Sequence, residues 1–298
     1  MFDGLYTANA LGVPFQLDRK DPRARPWCLI SYGTIQDQGE AILVVMKTYR
    51  PTGDTAVQKV AQRTYREVKL LAALRDCPCP NIIRFHGLLF PDPVQFREAV
   101  PGIPSIVIDF VRHDSIEYIE GKDFGLRLRI QLGNGLAYMH SLGLVHGDLK
   151  PDNFRITEDG VVKIFDFGLG RSETNEHSGM TTLILPCFRF IAPELIVPGE
   201  DAVSMFVTKA TDVYAFSMTA LQVLDGQGYP KSRPFNTCHG PFAVRSAIVR
   251  QEWPQAQHYS GVVPEAWSAI SACWKTDPSL RPTIDTILQD LSGIPLSS

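Results

Sequence analysis

The apolar residues follow mostly a strand period before Val111 and mostly a helical one after it, and that division limits the folds open to this chain. Upstream, 27–35 and 40–48 read as the strands of a hairpin turning at Asp37-Gln38-Gly39. Residues 81–90 and 105–111 are two further apolar runs of strand length, and Pro91, Pro93, Pro101 and Pro104 enforce a loop between them. A single helix interrupts these strands. It begins near Asp54, an N-cap residue type, and its apolar stripe is Val57, Val60, Ala61, Tyr65, Val68 and Leu71, with Glu67 beside it. Downstream, Leu128, Leu132 and Leu136 repeat every four residues up to Ser141. Gly133 and Gly135 weaken that helix by about 1 kcal/mol each relative to Ala, and their small size suits close packing. A short strand at 161–165 leads into Asp166, and from about Ile191 the pattern is mostly helical with Pro-rich connections. Strands early and helices late predict an α+β protein: a small antiparallel sheet lobe with one helix, joined to a larger, mainly helical lobe.

Length and charge narrow the function classes. The 298 residues suit one domain of two lobes or two small domains, and 44% hydrophobic content is enough for a core. The predicted division is an irregular leader at 1–26, the sheet lobe at 27–110, the helical lobe at 111–292 and a tail at 293–298. A net charge of −3 without a long run of one sign gives no basic face for nucleic acid. The apolar stretches, such as 41–46, are too short to span a bilayer, and residues 1–10 lack the basic start of a secretory signal. Cysteines stand at 28, 77, 79, 187, 238 and 273, with no second pair at zinc-like spacing for Cys77-Pro78-Cys79. Reduced thiols in a cytoplasmic or nuclear protein are expected. Oligomeric state is not legible.

Two short segments carry the chemistry. His146-Gly147-Asp148-Leu149-Lys150-Pro151-Asp152-Asn153 can present an acid, a base and an amide from one loop. Thirteen positions after Asn153, Asp166-Phe167-Gly168 adds a carboxylate from a tight turn. Two carboxylates and an amide near one point suit phosphoryl transfer with bound Mg²⁺, one orienting a hydroxyl and the others holding metal.

These segments resemble the eukaryotic protein kinases, whose catalytic loop reads H-R-D-L-x-x-x-N and whose metal turn reads D-F-G. The one change at a fixed position is Gly147 for arginine. The resemblance runs from about Trp27 to Leu291 and implies the two-lobed protein kinase fold. It implies that Lys47 pairs with Glu67 and holds the phosphates of ATP. Asp148 becomes the base for the substrate hydroxyl, Lys150 neutralises the transferring phosphoryl group, and Asn153 and Asp166 bind Mg²⁺. Residues 106–111 are similar to the hinge strand, which places Ile108 at the back of the adenine pocket and main-chain groups of Asp109 and Val111 on the adenine edge. Ala192-Pro193-Glu194, Asp212 and Arg281 match structural positions: Asp212 steadies the catalytic loop and Arg281 pairs with Glu194. The form Cys273-Trp274…Asp277-Pro278…Arg281-Pro282 is similar to the tyrosine-kinase-like branch of Ser/Thr kinases, and Lys150 implies transfer to Ser or Thr of protein substrates.

The chain also departs from the family. No G-x-G-x-x-G precedes Lys47, where only Gly4, Gly12, Gly33 and Gly39 occur. Val45 stands where the family has Ala above the adenine ring, and its extra methyl groups crowd that ring. Arg155 replaces the apolar floor residue, and its guanidinium needs a partner or water. Cys187 replaces a threonine near the base. Gly147 removes the arginine that would pair with a phosphorylated activation segment, leaving Arg171 or Arg189 as other cations. The expected function is ATP-dependent transfer to protein Ser/Thr. The alternative is a catalytically weak kinase-fold scaffold, favoured by the missing glycine loop.

Overall fold

The computed structural model describes residues 3–21, 27–51, 57–76, 79–92, 96–97, 99–119, 125–172, 188–196 and 206–294. The chain forms two compact units, one of Met1–Pro78 with Ile83–Val111, the other of Cys79–Ile82 with Arg112–Ser298.

The first unit is a five-stranded antiparallel sheet in the order β1-β2-β3-β5-β4, with β1 Phe15–Lys20, β2 Cys28–Asp37, β3 Glu40–Tyr49, β4 Phe85–Leu89 and β5 Ser105–Asp109. The β2–β3 hairpin closes at Asp37↔Glu40 through Gln38 and Gly39, both with positive φ (51° and 88°). That is the two-residue turn whose twist matches the strands. Along β3, Val44 and Met46 are buried on one face while Val45 and Lys47 take the other, as alternation requires.

Within the expected irregular leader, the described residues 3–21 include two regular elements. Asp3–Ala8 form helix α1, and Phe15–Lys20 form the strand that pairs with β2. Between them the chain borders β4, where Leu11 N–H donates to Leu88 O and Leu88 N–H to Asn9 O, each at 2.8 Å. The segment thus runs from one edge of the sheet to the other. Leu11, Val13, Phe15 and Leu17 pack on a core of Ile35, Val44, Met46, Phe96 and Val107. Their period of two marks a strand, but Gly12, Pro14 and the charged Asp18-Arg19-Lys20 mask it in the sequence. The crossing also accounts for Gly33, since a Cβ there would lie 2.6 Å from the Phe15 ring and 2.3 Å from the Gln16 carbonyl oxygen.

Helix α2 spans Val57–Ala73; Asp54, the expected cap, lies outside the described residues. Its buried residues are Val60, Thr64, Glu67, Val68, Leu70 and Leu71. Val57 is 52% exposed, so it does not belong to the apolar stripe; it opens the helix, where the first turn is solvated. Thr64 is tolerated inside because its hydroxyl donates to Val60 O at 3.0 Å.

The second unit holds β6 His113–Asp114, α3 Ser115–Ile119, α4 Gly125–Ser141, β7 Leu144–Val145, β8 Phe154–Ile156, β9 Val162–Ile164 and β10 Arg171–Ser172. Helices α5 Lys209–Asp225, α6 Pro241–Val249, α7 Pro264–Ser271 and α8 Ile284–Ser292 follow. The small sheets β6-β8-β9 and β7-β10 frame the segment that carries the acidic motifs. The two glycines of α4 do serve close packing. A Cβ at Gly133 would lie 2.6 Å from Leu288 Cδ2, and one at Gly135 would lie 2.7 Å from Ile164 Cδ1. Helix α5 is buried on nearly every side, starts at a Thr208–Thr211 capping box and ends at Gly226 in the left-handed region (φ 60°). Of the described cysteines, Cys28 and Cys273 are buried and Cys79 and Cys238 half-buried; Cys77 and Cys187 lie outside the described residues. Among the described residues no helix is long and apolar enough to cross a membrane.

Candidate active site

The loop at 146–153 is held from below by one carboxylate. Asp212, in the first turn of α5 and 1% exposed, accepts His146 N–H and Gly147 N–H, both at 2.8 Å. His140 Nε2 sits 3.0 Å from the same carboxylate. His140 was not singled out from sequence; its only signal is its place in the last turn of α4, just ahead of the loop.

The loop is also locked along its own length. Asp148 N–H donates to His146 Nδ1 (3.2 Å), which leaves Nε2 as the donor to Phe165 O (3.2 Å) and so fixes the orientation of the ring. Phe165 N–H donates to Asn153 O at 3.0 Å, tying the strand before Asp166 to the end of the loop. Ser115 Oγ donates to Pro151 O at 2.6 Å.

Within this frame, Asp148, Lys150 and Asn153 meet directly. Lys150 Nζ lies 2.6 Å and Asn153 Nδ2 2.9 Å from Asp148 Oδ2, and Asn153 Nδ2 also reaches Asp148 O at 2.7 Å. The amide nitrogen is therefore spent, while Asn153 Oδ1 is buried with no hydrogen-bond partner. An unsatisfied buried acceptor is costly and calls for a ligand. A hard cation fits it, because Mg²⁺ takes oxygen donors and keeps waters and substrate phosphates as its remaining ligands. Asp166 has φ 67°, an uncommon conformation for a residue with a side chain, in a turn anchored by fully buried Phe167.

Arg155 on β8 has the partner its guanidinium needs. It pairs with Asp114 Oδ2 at 2.5 Å and lies over the Phe165 ring at 5.7 Å. Glu194 and Arg281 form a two-pronged pair (2.8 and 2.7 Å), and Arg281 also donates to Lys275 O and Ala210 O, each at 2.9 Å. The buried Tyr214 ring packs under that guanidinium at 5.4 Å, its phenol pushed up by burial and so kept neutral.

The remaining predicted residues belong to the first unit. Lys47 Nζ contacts both oxygens of Glu67 at 2.8 and 2.9 Å, and both side chains are buried. Tyr49 Oη donates to Glu67 Oε2 at 2.5 Å, and Lys47 Nζ lies 4.7 Å from the Tyr49 ring centre. Tyr49 was missed, although a residue two beyond Lys47 on a strand must share its face. In β5, Ile108 is paired with Val45 across the sheet and Asp109 with Val44. Asp109 Oδ1 is hydrogen-bonded to His86 Nε2 at 2.7 Å, and the Asp109 N–H donates to Arg84 O. Val111, the last residue of this unit, is half-buried.

Gly147 has φ 77°, and a Cβ there would lie 2.8 Å from Leu169 O, so no side chain replaces it without strain. Arg189 is committed to the carbonyls of Pro234, Phe235 and Cys238. Arg171 lies over the Phe206 ring at 5.2 Å, its Nε buried without a hydrogen-bond partner among the described residues. Residues 173–187, with Thr174, Ser178, Thr181 and Thr182, lie outside the described residues. Phosphatase-treated protein is expected to keep its phosphate-transfer rate. A large loss on dephosphorylation that Arg171→Ala also produces would transfer the role to Arg171.

The family profile described as protein kinase domain matches residues 32–291. A serine/threonine-protein kinase of Arabidopsis thaliana is 28% identical over 211 residues, 67% of this chain and 34% of that protein. One from Corynebacterium efficiens is 29% identical over 182 residues, 59% of this chain and 32% of its own length. A MAP kinase kinase kinase of Schizosaccharomyces pombe is 30% identical over 190 residues, 58% of this chain and 16% of its own length. The chain thus spans about a third or less of the curated relatives it matches. With the match covering most of its length, and the loop, the DFG turn and both ion pairs in place, this chain belongs to the protein kinase family.

Proposed function

We propose that this chain transfers the γ-phosphoryl group of ATP to Ser or Thr hydroxyls of proteins, with Mg²⁺. The observation that supports it most is the Asp148–Lys150–Asn153 cluster, with a carboxylate poised between a cation and an amide whose oxygen is left for metal. Asp148 takes the proton of the attacking hydroxyl as its oxygen bonds to the γ-phosphorus and the bond to the ADP oxygen breaks. Lys150 then turns from Asp148 toward the charge on the transferring group. Lys47, oriented by Glu67 and Tyr49, holds the phosphates. Asn153 Oδ1 and the Asp166 carboxylate would hold Mg²⁺, which when bound neutralises charge on the phosphates. The Cys-Trp…Asp-Pro…Arg-Pro form supports a place in the tyrosine-kinase-like branch.

A second reading, binding without transfer, draws on the connection between β1 and β2. Residues 21–27 read DPRARPW and contain no glycine. One experiment separates the two. A ligand at a hundred times its dissociation constant stabilises a fold by about 2.7 kcal/mol. Millimolar Mg·ATP is expected to raise the melting temperature of the wild type but not of Lys47→Ala, and to label a generic protein substrate on Ser and Thr. A shift without labelling supports the second reading. Phosphotyrosine as the main product overturns the assignment drawn from Lys150.

A further inference from the structure

The face of the first unit's sheet that carries Lys47 also carries an aromatic side chain beside the implied base position. Tyr32 on β2 is directly paired with Val45 on β3, and Val45 with Ile108 on β5. Directly opposed residues of antiparallel strands project to the same face with their Cβ atoms about 5 Å apart. Tyr32, Val45 and Ile108 therefore form one row across three strands, next to the row Ile30, Lys47 and Ile106.

Contacts with Asp21, Phe110 and Arg19 help to hold the Tyr32 side chain in that row. Its hydroxyl donates to Asp21 Oδ2 at 3.0 Å. Its ring meets Phe110 edge-on, with centroids 5.7 Å apart and planes at 83°. The guanidinium of Arg19, its partner across β1–β2, lies over the ring at 4.8 Å. Phe110 lies between Asp109 and Val111, whose main-chain groups are the implied contacts of the base edge. One face of the phenol is thus already covered and its edge already packed, which leaves it poorly placed to act as a stacking platform.

We infer that Tyr32 stands in the space a nucleotide base needs beside Val45, so that the ring must swing away from Asp21, Arg19 and Phe110 for ATP to bind. Tyr32 is then an affinity-setting residue of the nucleotide site. This inference rests on the ATP reading of the Lys47 face, and it predicts a site that binds nucleotide weakly even with every phosphate-holding and metal-holding residue in place.

The test is titration calorimetry of Mg·ATP with wild type, Tyr32→Val and Tyr32→Phe, each checked for an unchanged melting temperature within a few degrees. Valine keeps a strand-favouring side chain and empties the base position. Tyr32→Val is expected to bind at least about tenfold tighter, which corresponds to about 1.4 kcal/mol. Tyr32→Phe keeps the ring but frees it from Asp21, and roughly a threefold to fivefold gain is expected from one net hydrogen bond. If wild type binds and neither variant binds tighter, or if Tyr32→Val binds more weakly, the ring supports the base and the inference is overturned while the ATP reading stands. If no variant binds Mg·ATP, both are overturned. If Tyr32→Val does not fold, Tyr32→Phe decides alone, and equal affinity to wild type counts against the inference.

Discussion

Replacing Asp148 by Asn is expected to lower the phosphate-transfer rate by at least two orders of magnitude while leaving Mg·ATP affinity nearly unchanged. General-base contributions are typically a hundredfold to ten-thousandfold. The reason for the split lies in what Asp148 touches. Its carboxylate accepts from Lys150 and Asn153, and Asn153 is also anchored through the Asp148 backbone carbonyl. An asparagine of the same shape keeps the backbone anchor and offers an amide oxygen to the same donors. The loop geometry and Asn153 Oδ1 therefore stay in place, and only the proton-accepting charge is lost. Single-turnover transfer to a protein substrate, together with calorimetric ATP affinity, reads both halves. Asp148→Asn with wild-type transfer would remove Asp148 from the reaction. A parallel loss of ATP binding would show that its role is to shape the loop.

The largest expected effect on stability is at Arg281. Its side chain is fully buried, four of its donor contacts are made, and Glu194 facing it is only 16% exposed. Removing one partner of such a pair strands a charge that neither water nor protein can satisfy, and losses of about 3–5 kcal/mol follow. For a unit of this size that is a fall in melting temperature on the order of 10 °C. Arg281→Ala is expected to show it by thermal or urea denaturation. Arg281→Lys falls between, because an ammonium keeps the charge but not the fork that spans Glu194, Lys275 and Ala210. Arg281→Met combined with Glu194→Met should recover much of the loss, since no orphaned charge is left. If Arg281→Ala costs less than about 1 kcal/mol, the pair does not hold the 188–196 segment to α5.

Some of this architecture needs no tertiary information. The β2–β3 hairpin follows from Asp37-Gln38-Gly39 between alternating apolar runs, because a two-residue turn with two left-handed positions fixes the register by itself. The Asp148–Lys150–Asn153 cluster is nearly as local. Five residues of loop suffice to bring the amide onto the carboxylate, so spacing alone carries the chemistry. The leader was misread for a local reason as well. An edge strand gains its stability from pairing with β2 and from covering Val44 and Met46, and Gly12, Pro14 and three charged residues hide its weak pattern.

The chemistry of short segments is local: the sequence alone says which acids, amides and turns stand at which spacing. Which polar groups are buried and satisfied depends on the whole fold. The resemblance implied Glu67 for Lys47, Asp212 for the loop and Glu194 for Arg281, twenty, sixty-five and eighty-seven residues away, but not Asp114, forty-one residues from Arg155. Local period reports only the side of an element a residue occupies. The cost of burying a charge is met by a partner elsewhere in the chain, and only the fold brings that partner within 3 Å. Tyr32 belongs to the same class: as a residue of β2 it is an ordinary strand tyrosine, and only the register against β3 and β5 places it beside Val45 and Ile108.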